Sequence, residues 1–186
     1  MAVHPNILRS DAAALIVVDV QEAFRHVIPD FETVAVKAST AVRGFLTLDL
    51  PVLVTEQYPK GLGHTAEEIR LVLPDDAEIF EKTAFSSCGA DAFAARLGKL
   101  GIKQAVLCGL ETHVCVNQTA HDLLDRGFRV HLLTDAVCSR SDENKATGLE
   151  KMRVGGVIAS SVEMALFELM RDAKHEKFKE IQALIK

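Results

Sequence analysis

A cysteine close to the start of a predicted helix is the residue in this chain best suited to covalent chemistry. Cys115 follows the apolar run 104–108, which predicts a buried strand, and the spacing over 116–124 predicts a helix. Thr112 is the predicted N-cap, which would make Cys115 the third helical residue. The N–H groups at a helix start favour a thiolate and can hold an oxyanion. The sequence therefore predicts a nucleophilic cysteine in a strand-to-helix turn.

Two charged residues also stand where predicted strands end. Asp19 closes the apolar run 13–18, and Lys82 follows the short run 78–80. Taken alone, an aspartate is usually a helix cap, a lysine is usually solvated, and a cysteine is usually an inert core residue. The carboxyl ends of parallel strands, however, meet at one edge of a sheet. Together the three residues would supply a base, a cation and a nucleophile.

Other chemistry fits the sequence less well. A pair between His113 and Cys115 is disfavoured because residues two apart on a helix diverge. Zinc binding by His113, Cys115 and His121 lacks a familiar ligand spacing. No glycine-rich segment has the context of a phosphate-binding loop. The remaining cysteines are assigned to structure: Cys88, Cys108 and Cys138.

The segments around these residues predict an α/β fold. Strands are predicted over 13–19, 52–55, 78–80, 104–108, 128–133 and 157–159. Helices are predicted between them over 30–49, 91–100, 116–124, 144–153 and 161–170, and a short amphipathic helix over 178–185. Runs that are apolar throughout indicate a parallel sheet covered on both faces. We expect a Rossmann-like three-layer sandwich with a six-stranded, mostly parallel sheet, formed by residues 1–186 as one domain.

Composition narrows the class of protein. Hydrophobic residues make up 48% of the chain and charged residues 25%, which is typical of a globular domain. The net charge of -5 argues against nucleic acid as a partner. We find no secretory signal and no apolar run long enough to cross a membrane, so we expect a cytoplasmic protein. The four cysteines form no CxxC pair, which favours a reducing compartment.

The residues that carry this chemistry lie in segments that resemble a known family. VVDVQEAF around Asp19, FEKTAFS around Lys82 and GLETHVCVNQTAHDLLDRG around Cys115 resemble the three signature segments of the isochorismatase-like cysteine hydrolases. The similarity continues in order through HLLTDAVCSRS and MRVGGVIASSVEMALFEL. LVTEQYPKGLGHT is similar to the branch of isochorismatase domain-containing proteins.

The resemblance implies an Asp19-Lys82-Cys115 triad, a homo-oligomer and no cofactor. It also implies a cis peptide between Leu110 and Glu111, which would turn the Glu111 N–H toward the substrate beside that of Cys115 and so complete an oxyanion hole. Two departures matter. The metal-binding nicotinamidases carry an aspartate and two histidines after the second strand, where this chain has only His64, so no metal is expected. True isochorismatases lack the cysteine.

We therefore expect a hydrolase that cleaves a C–N bond of a small amide-like substrate through a thioester on Cys115. Phe24, Tyr58 and Phe85 are candidate walls of the substrate pocket, because they are close to the triad in sequence. Two other classes stay open. One is a catalytically idle binding or scaffold protein of the same fold, and the other is a nucleic-acid-processing enzyme.

Overall fold

A six-stranded sheet is the centre of the fold in the computed structural model, which describes residues 4–186. The strands are β1 (Ala13–Val18), β2 (Val52–Gln57), β3 (Ile79–Lys82), β4 (Gln104–Leu110), β5 (Arg129–Cys138) and β6 (Ile158–Ser160). They lie in the order β3-β2-β1-β4-β5-β6, and every pair of neighbours is parallel. The predicted α/β sandwich is confirmed, with a sheet that is parallel throughout and not merely mostly so.

Eight α-helices of the described chain connect or follow the strands. They are α1 (Phe31–Thr47), α2 (Pro59–Leu62), α3 (Glu67–Arg70), α4 (Asp91–Lys99), α5 (Asn117–Asp125), α6 (Asp142–Val154), α7 (Val162–Met170) and α8 (Phe178–Ile185). Short 3₁₀ helices span Glu22–His26 and Ser87–Gly89, and a π-helical turn spans Thr112–Val116. The predicted longer helices match within a few residues. The four-residue helices α2 and α3 were not predicted, because four residues are too few to show a helical period.

The sheet separates two hydrophobic cores. Successive side chains of a strand point to opposite faces, so β1 contributes Leu15 and Val17 to one core and Ile16 and Val18 to the other. The first core is covered by α1, α7 and α8, and the second by α4, α5 and α6. Because both faces are covered, the central strands are apolar on both sides, as the sequence predicts.

Gly109 lets the ends of β1 and β4 approach each other closely. Its φ is +121°, a conformation that L side chains rarely adopt. A Cβ at this position would lie 2.0 Å from the carbonyl oxygen of Val18. The two strand ends that precede Asp19 and Cys115 can therefore lie side by side only because residue 109 has no side chain.

The four cysteines are free thiols, and all four are buried. Cys108 and Cys138 belong to the first core, while Cys88 and Cys115 belong to the second. Within residues 4–186, no helix has both the length and the apolar character needed to cross a membrane.

His131, on β5, is a buried polar residue that has no hydrogen-bond partner in the core. The residue is 0% exposed, and neither ring nitrogen has a hydrogen-bond partner. Burial, together with the nearby Arg129 cation, lowers the pKa of His131 to about 4. The folded protein therefore holds this imidazole neutral at pH values where an unfolded chain would protonate it.

We predict that His131 makes the folded state less stable as the pH falls from about 6.5 to about 4. In that window the unfolded chain binds a proton that the folded chain does not, so protonation favours unfolding. The loss should be about 3 kcal/mol, and His131→Leu should remove it. Urea unfolding of both proteins at several pH values measures the difference. A His131→Leu profile parallel to that of the unmodified protein would contradict the prediction.

Candidate active site

A buried ion pair lies at the carboxyl edge of the sheet. Asp19 follows β1 directly and has φ of 51°, the left-handed conformation that aspartate tolerates better than most residues. Its N–H donates to the carbonyl of Thr55 on β2 at 3.1 Å. Lys82, the last residue of β3, donates from Nζ to Asp19 Oδ2 at 2.7 Å, and both side chains are 0% exposed. The topology brings together two residues that are far apart in sequence.

The Lys82 ammonium has polar partners on every side. Besides Asp19, Nζ contacts Gln57 Oε1 at 2.7 Å and the carbonyl oxygens of Ala84 and Phe85 at 3.1 and 2.8 Å. An ammonium has three hydrogens, so these four acceptors leave none of them without a partner. A buried charge needs such partners, because desolvation otherwise costs several kcal/mol.

Cys115 lies in the π-helical turn between β4 and α5. The predicted N-cap is wrong: Glu111 occupies the cap position without a side-chain cap bond, and Thr112 is already the first residue of the turn. The Thr112 hydroxyl is buried and has no hydrogen-bond partner. Cys115 is therefore the fourth residue of this π-helical turn, which leads directly into α5. No short-range sequence signal distinguishes such a turn from an ordinary helix start.

Burial disfavours the thiolate at Cys115, whereas the sequence predicts that the helix start favours it. Burial, followed by the nearby Asp19 carboxylate, raises the pKa of the Cys115 thiol to about 12, although Lys82 acts in the opposite direction. Burial also raises the pKa of the Asp19 carboxyl above its ordinary value, opposed mainly by Lys82 and less by Thr55 and Cys115. The three groups are thus close enough to affect one another.

Glu111 begins the turn, and its carboxylate faces the loop after β5. The Leu110-Glu111 peptide bond is cis. Glu111 Oε2 accepts hydrogen bonds from the backbone N–H and the Nε of Arg140, each at 3.0 Å. The Glu111 side chain is 7% exposed and that of Arg140 is 62% exposed. The pair of Glu111 and Arg140 therefore links two segments: the turn that contains Cys115 and the chain just after β5.

The three predicted pocket residues differ in position. The Phe85 carbonyl contacts Lys82, and the Tyr58 N–H donates to the Lys82 carbonyl at 2.8 Å, so both are adjacent to the ion pair; both side chains are about half exposed. Phe24 is half-buried and packs against the core beneath α1, whereas Cys115 belongs to the opposite core. A role in a pocket stays a prediction for all three.

The His113 ring contacts the end of β5 and not the ion pair, so its position does not favour a role as the base. Its Nδ1 lies 3.0 Å from the hydroxyl of Ser139, which follows β5, and its backbone packs against Gly148 of α6. His121 Nδ1 lies 2.8 Å from the carbonyl oxygen of Asn117. Neither contact involves the ion pair.

Sequence reasoning did not single out Thr55, Gln57 and Arg140. Thr55 and Gln57 are polar residues at the carboxyl end of β2, which is the same signal that identified Asp19. Arg140 lies in a loop, where sequence gives no indication of its partner. Among residues 4–186, no group of three or more histidine, cysteine, aspartate and glutamate side chains is arranged to hold a metal ion.

This geometry defines an α/β protein with a doubly wound parallel sheet and an acid, a lysine and a cysteine at its switch point. The chain belongs to the family of isochorismatase-like hydrolases, since the family model described as Isochorismatase domain matches residues 13–163.

Individual relatives agree with this assignment. The chain is 43% identical to isochorismatase domain-containing protein 1 of Salmo salar over 90% of its own length and 59% of the relative's. It thus spans about three fifths of that relative. It is 38% identical to isochorismatase domain-containing protein 2 of Xenopus laevis, over 94% of this chain and 83% of the other.

A solved structure is similar as well. The MAR1 ribonuclease of Caenorhabditis elegans is 38% identical in sequence and superimposes with a TM-score of 0.92. The alignment covers 96% of this chain and 92% of that one. The family and the fold predicted from the sequence are confirmed, whereas the cytoplasmic location and the homo-oligomeric state stay predictions.

We predict that Lys82→Met destabilises the fold by about 3 to 5 kcal/mol, because it leaves the Asp19 carboxylate buried without its cation. Adding Asp19→Asn should recover part of that loss, since the uncompensated charge is removed. Urea unfolding of the two single variants and the double variant gives the coupling energy. Arg96→Met is the control: it removes an exposed pair with Glu78 of the same 2.7 Å length and should cost less than about 1 kcal/mol. Additive losses at residues 19 and 82 would contradict the prediction.

Proposed function

We propose that this protein hydrolyses a C–N bond of a small amide-like substrate through a thioester on Cys115. The observation that carries the proposal is the ion pair between Asp19 and Lys82, which is 2.7 Å long, is fully buried and lies close to the thiol. A buried charge pair costs free energy unless it has excellent partners, and its association with a cysteine is expected where a proton must be moved.

In the first proposed step, Asp19 takes the proton from the Cys115 sulfur while the sulfur attacks the substrate carbonyl carbon. The S–H bond breaks, an O–H bond forms on the carboxyl group, and a C–S bond forms as the carbonyl oxygen becomes negative. The N–H groups of Glu111 and Cys115 are the proposed donors to that oxyanion. The raised pKa of the Asp19 carboxyl makes this acid a stronger base than an ordinary aspartate.

In the second step, Asp19 returns the proton to the leaving nitrogen as the C–N bond breaks, which leaves a thioester. Water then attacks the thioester carbon and gives a proton to Asp19. The C–S bond breaks, Asp19 returns that proton to the sulfur, and the acid product leaves. Lys82 favours the ionised forms of both neighbours. Asp19 is 0% exposed, Lys82 5% and Cys115 7%, so all three members of the proposed triad are buried.

A nucleic-acid-processing activity is the second candidate, because the similar Caenorhabditis elegans structure is named a ribonuclease. The net charge of -5 provides little attraction for a phosphate backbone. Incubation of RNA with the unmodified protein and with Cys115→Ser separates the two proposals. RNA cleavage that survives Cys115→Ser would require a different site, whereas cleavage lost in that variant would extend the chemistry of this one. A catalytically idle protein would release neither amine nor nucleotide.

We predict that Cys115→Ser abolishes amide hydrolysis and that Asp19→Asn lowers turnover about 100-fold to 10,000-fold, the usual contribution of a positioned acid–base group. His113→Ala should have a much smaller effect, since its ring contacts Ser139. The measurement is release of ammonia or amine from a panel of small amides and ureides. A silent Asp19→Asn together with an inactive His113→Ala would replace the triad with a Cys–His pair.

We also predict that activity is independent of metal. The loop after β2 carries His64 alone among the residue types that bind zinc through nitrogen, and Glu56, which contacts its Nδ1 at 3.1 Å, is already bonded to Thr65. Dialysis against a chelator should leave the rate of the most rapidly hydrolysed amide unchanged. A stoichiometric metal ion whose removal stops turnover would contradict this.

A further inference from the structure

A line of buried hydroxyl groups extends from Asp19 to the helix that follows Cys115. Thr55 on β2 donates to Asp19 Oδ1 at 2.8 Å. The Ser87 hydroxyl lies 3.4 Å from that of Thr55, and Thr119 on α5 lies 3.3 Å from Ser87. All three hydroxyl residues are 0% exposed. The proposed mechanism uses none of them.

The direction of these hydrogen bonds follows from counting protons. Each hydroxyl has one hydrogen to donate. Thr55 gives its hydrogen to Asp19, so the contact between Thr55 and Ser87 requires Ser87 to be the donor. Thr119 accepts from the Ser87 backbone N–H at 2.9 Å and donates to the Ser87 hydroxyl. Every hydroxyl dipole in the line therefore points toward the Asp19 carboxylate.

The line runs from Asp19, the proposed base, to Thr119 on the helix that follows the proposed nucleophile Cys115. Asp19 Oδ1 is held by Thr55 and Oδ2 by Lys82, so the carboxylate plane has two fixed contacts. Thr119 is four residues after Cys115, one helical turn further along the chain. The loop that contains Ser87 connects the carboxylate to the helix that follows the thiol.

We propose that Thr55, Ser87 and Thr119 form a hydroxyl relay that fixes the orientation of Asp19 relative to Cys115 and keeps the carboxylate ionised. They are positioning residues, since Thr55 acts through the Asp19 carboxylate and Ser87 and Thr119 act through Thr55. Aligned hydrogen bonds in a buried line polarise one another, so the effect at Asp19 exceeds that of Thr55 alone. The inference rests on the proposed function in one respect, namely that Asp19 is the base for the thiol.

Few other groups face the Asp19 carboxylate and affect its ionisation. Lys82 at the end of β3 is the cation that faces Asp19, and the Cys115 thiol faces it from the turn before α5. Thr55 faces it from β2. Loss of the Thr55 hydroxyl therefore removes one stabilising contact of the carboxylate and leaves the other charges unchanged, and the acid should then hold its proton at higher pH.

Alkylation of Cys115 by iodoacetamide tests the relay without a known substrate. The S–H proton goes to Asp19, a C–S bond forms, and iodide leaves with the electrons of the C–I bond. Mass spectrometry of the peptide containing Cys115 separates this reaction from that of the other three cysteines. The rate is measured as a function of pH.

Thr55→Val should move the acid limb of this profile to higher pH by about one pH unit, because a hydrogen bond to a charged group is lost. Thr55→Ser keeps the hydroxyl and should keep the limb within about 0.3 pH unit of the original. Thr40→Val is the matched control, since its hydroxyl bonds only to the Val36 carbonyl on α1 and its limb should not move. Ser87→Ala should move the limb in the same direction by a smaller amount, and it tests the relay if Thr55→Val does not fold.

Two results would overturn the relay: an unmoved acid limb in folded Thr55→Val or Ser87→Ala, or the same movement in Thr55→Ser as in Thr55→Val. Asp19→Asn distinguishes the relay from the proposed function. If Asp19→Asn leaves the profile unchanged, Asp19 is not the base and both fail. If Asp19→Asn removes the acid limb while Thr55→Val leaves it in place, the relay alone fails.

Discussion

The need to compensate the charge of Lys82 is the constraint on which the site depends. An ammonium that is 0% exposed must find its hydrogen-bond acceptors inside the protein, and Asp19, Gln57 and two carbonyl oxygens supply them. The carbonyls belong to Ala84 and Phe85, so the chain after β3 must turn back over the end of its own strand. The contacts of Lys82 thus join the ends of β1, β2 and β3, and the 3₁₀ helix that begins at Ser87 follows directly after that turn.

The position of the thiol depends on a second constraint, the close approach of β1 and β4. In a doubly wound sheet these strands flank the point at which the connections change direction, where folds of this kind generally bind their ligands. Gly109 permits the approach, because any side chain at that residue would collide with the Val18 carbonyl. Asp19, the residue after Val18 at the end of β1, adopts the left-handed conformation, and its carboxylate contacts Lys82. Neither the glycine nor the aspartate could be moved by one residue without separating the acid from the sulfur.

The strands, most helices and the proximity of Asp19, Lys82 and Cys115 could be predicted from the sequence for a physical reason, whereas the catalytic role of these residues stays a prediction. Runs such as Leu15 to Val18 are apolar on both faces, which only a covered parallel sheet explains, and strand ends in such a sheet share one edge. The π-helical turn at Cys115 and the lack of partners at His131 were beyond prediction, since both depend on packing between distant segments. Thr55 could have been predicted as a polar residue at a strand end. Its role, however, depends on a detail of the folded site: Lys82 binds Oδ2 of Asp19 and leaves Oδ1 for Thr55.

A thiol with a raised pKa is consistent with a nucleophile if the base is already in place. Burial makes isolated thiolate unfavourable at Cys115, and the Asp19 charge adds to that penalty. In the proposed mechanism the thiol proton goes to Asp19 as the sulfur attacks an electrophilic carbon. The negative charge of the Asp19 carboxylate then reappears on the substrate oxygen, so the charge that burial penalises does not accumulate on sulfur. The same burial protects the thiol from indiscriminate oxidation, because thiolate is the reactive form. The Cys115 thiol would thus react only with a bound electrophile. Transfer of its proton as the C–S bond forms would require Asp19 to be held in the right orientation.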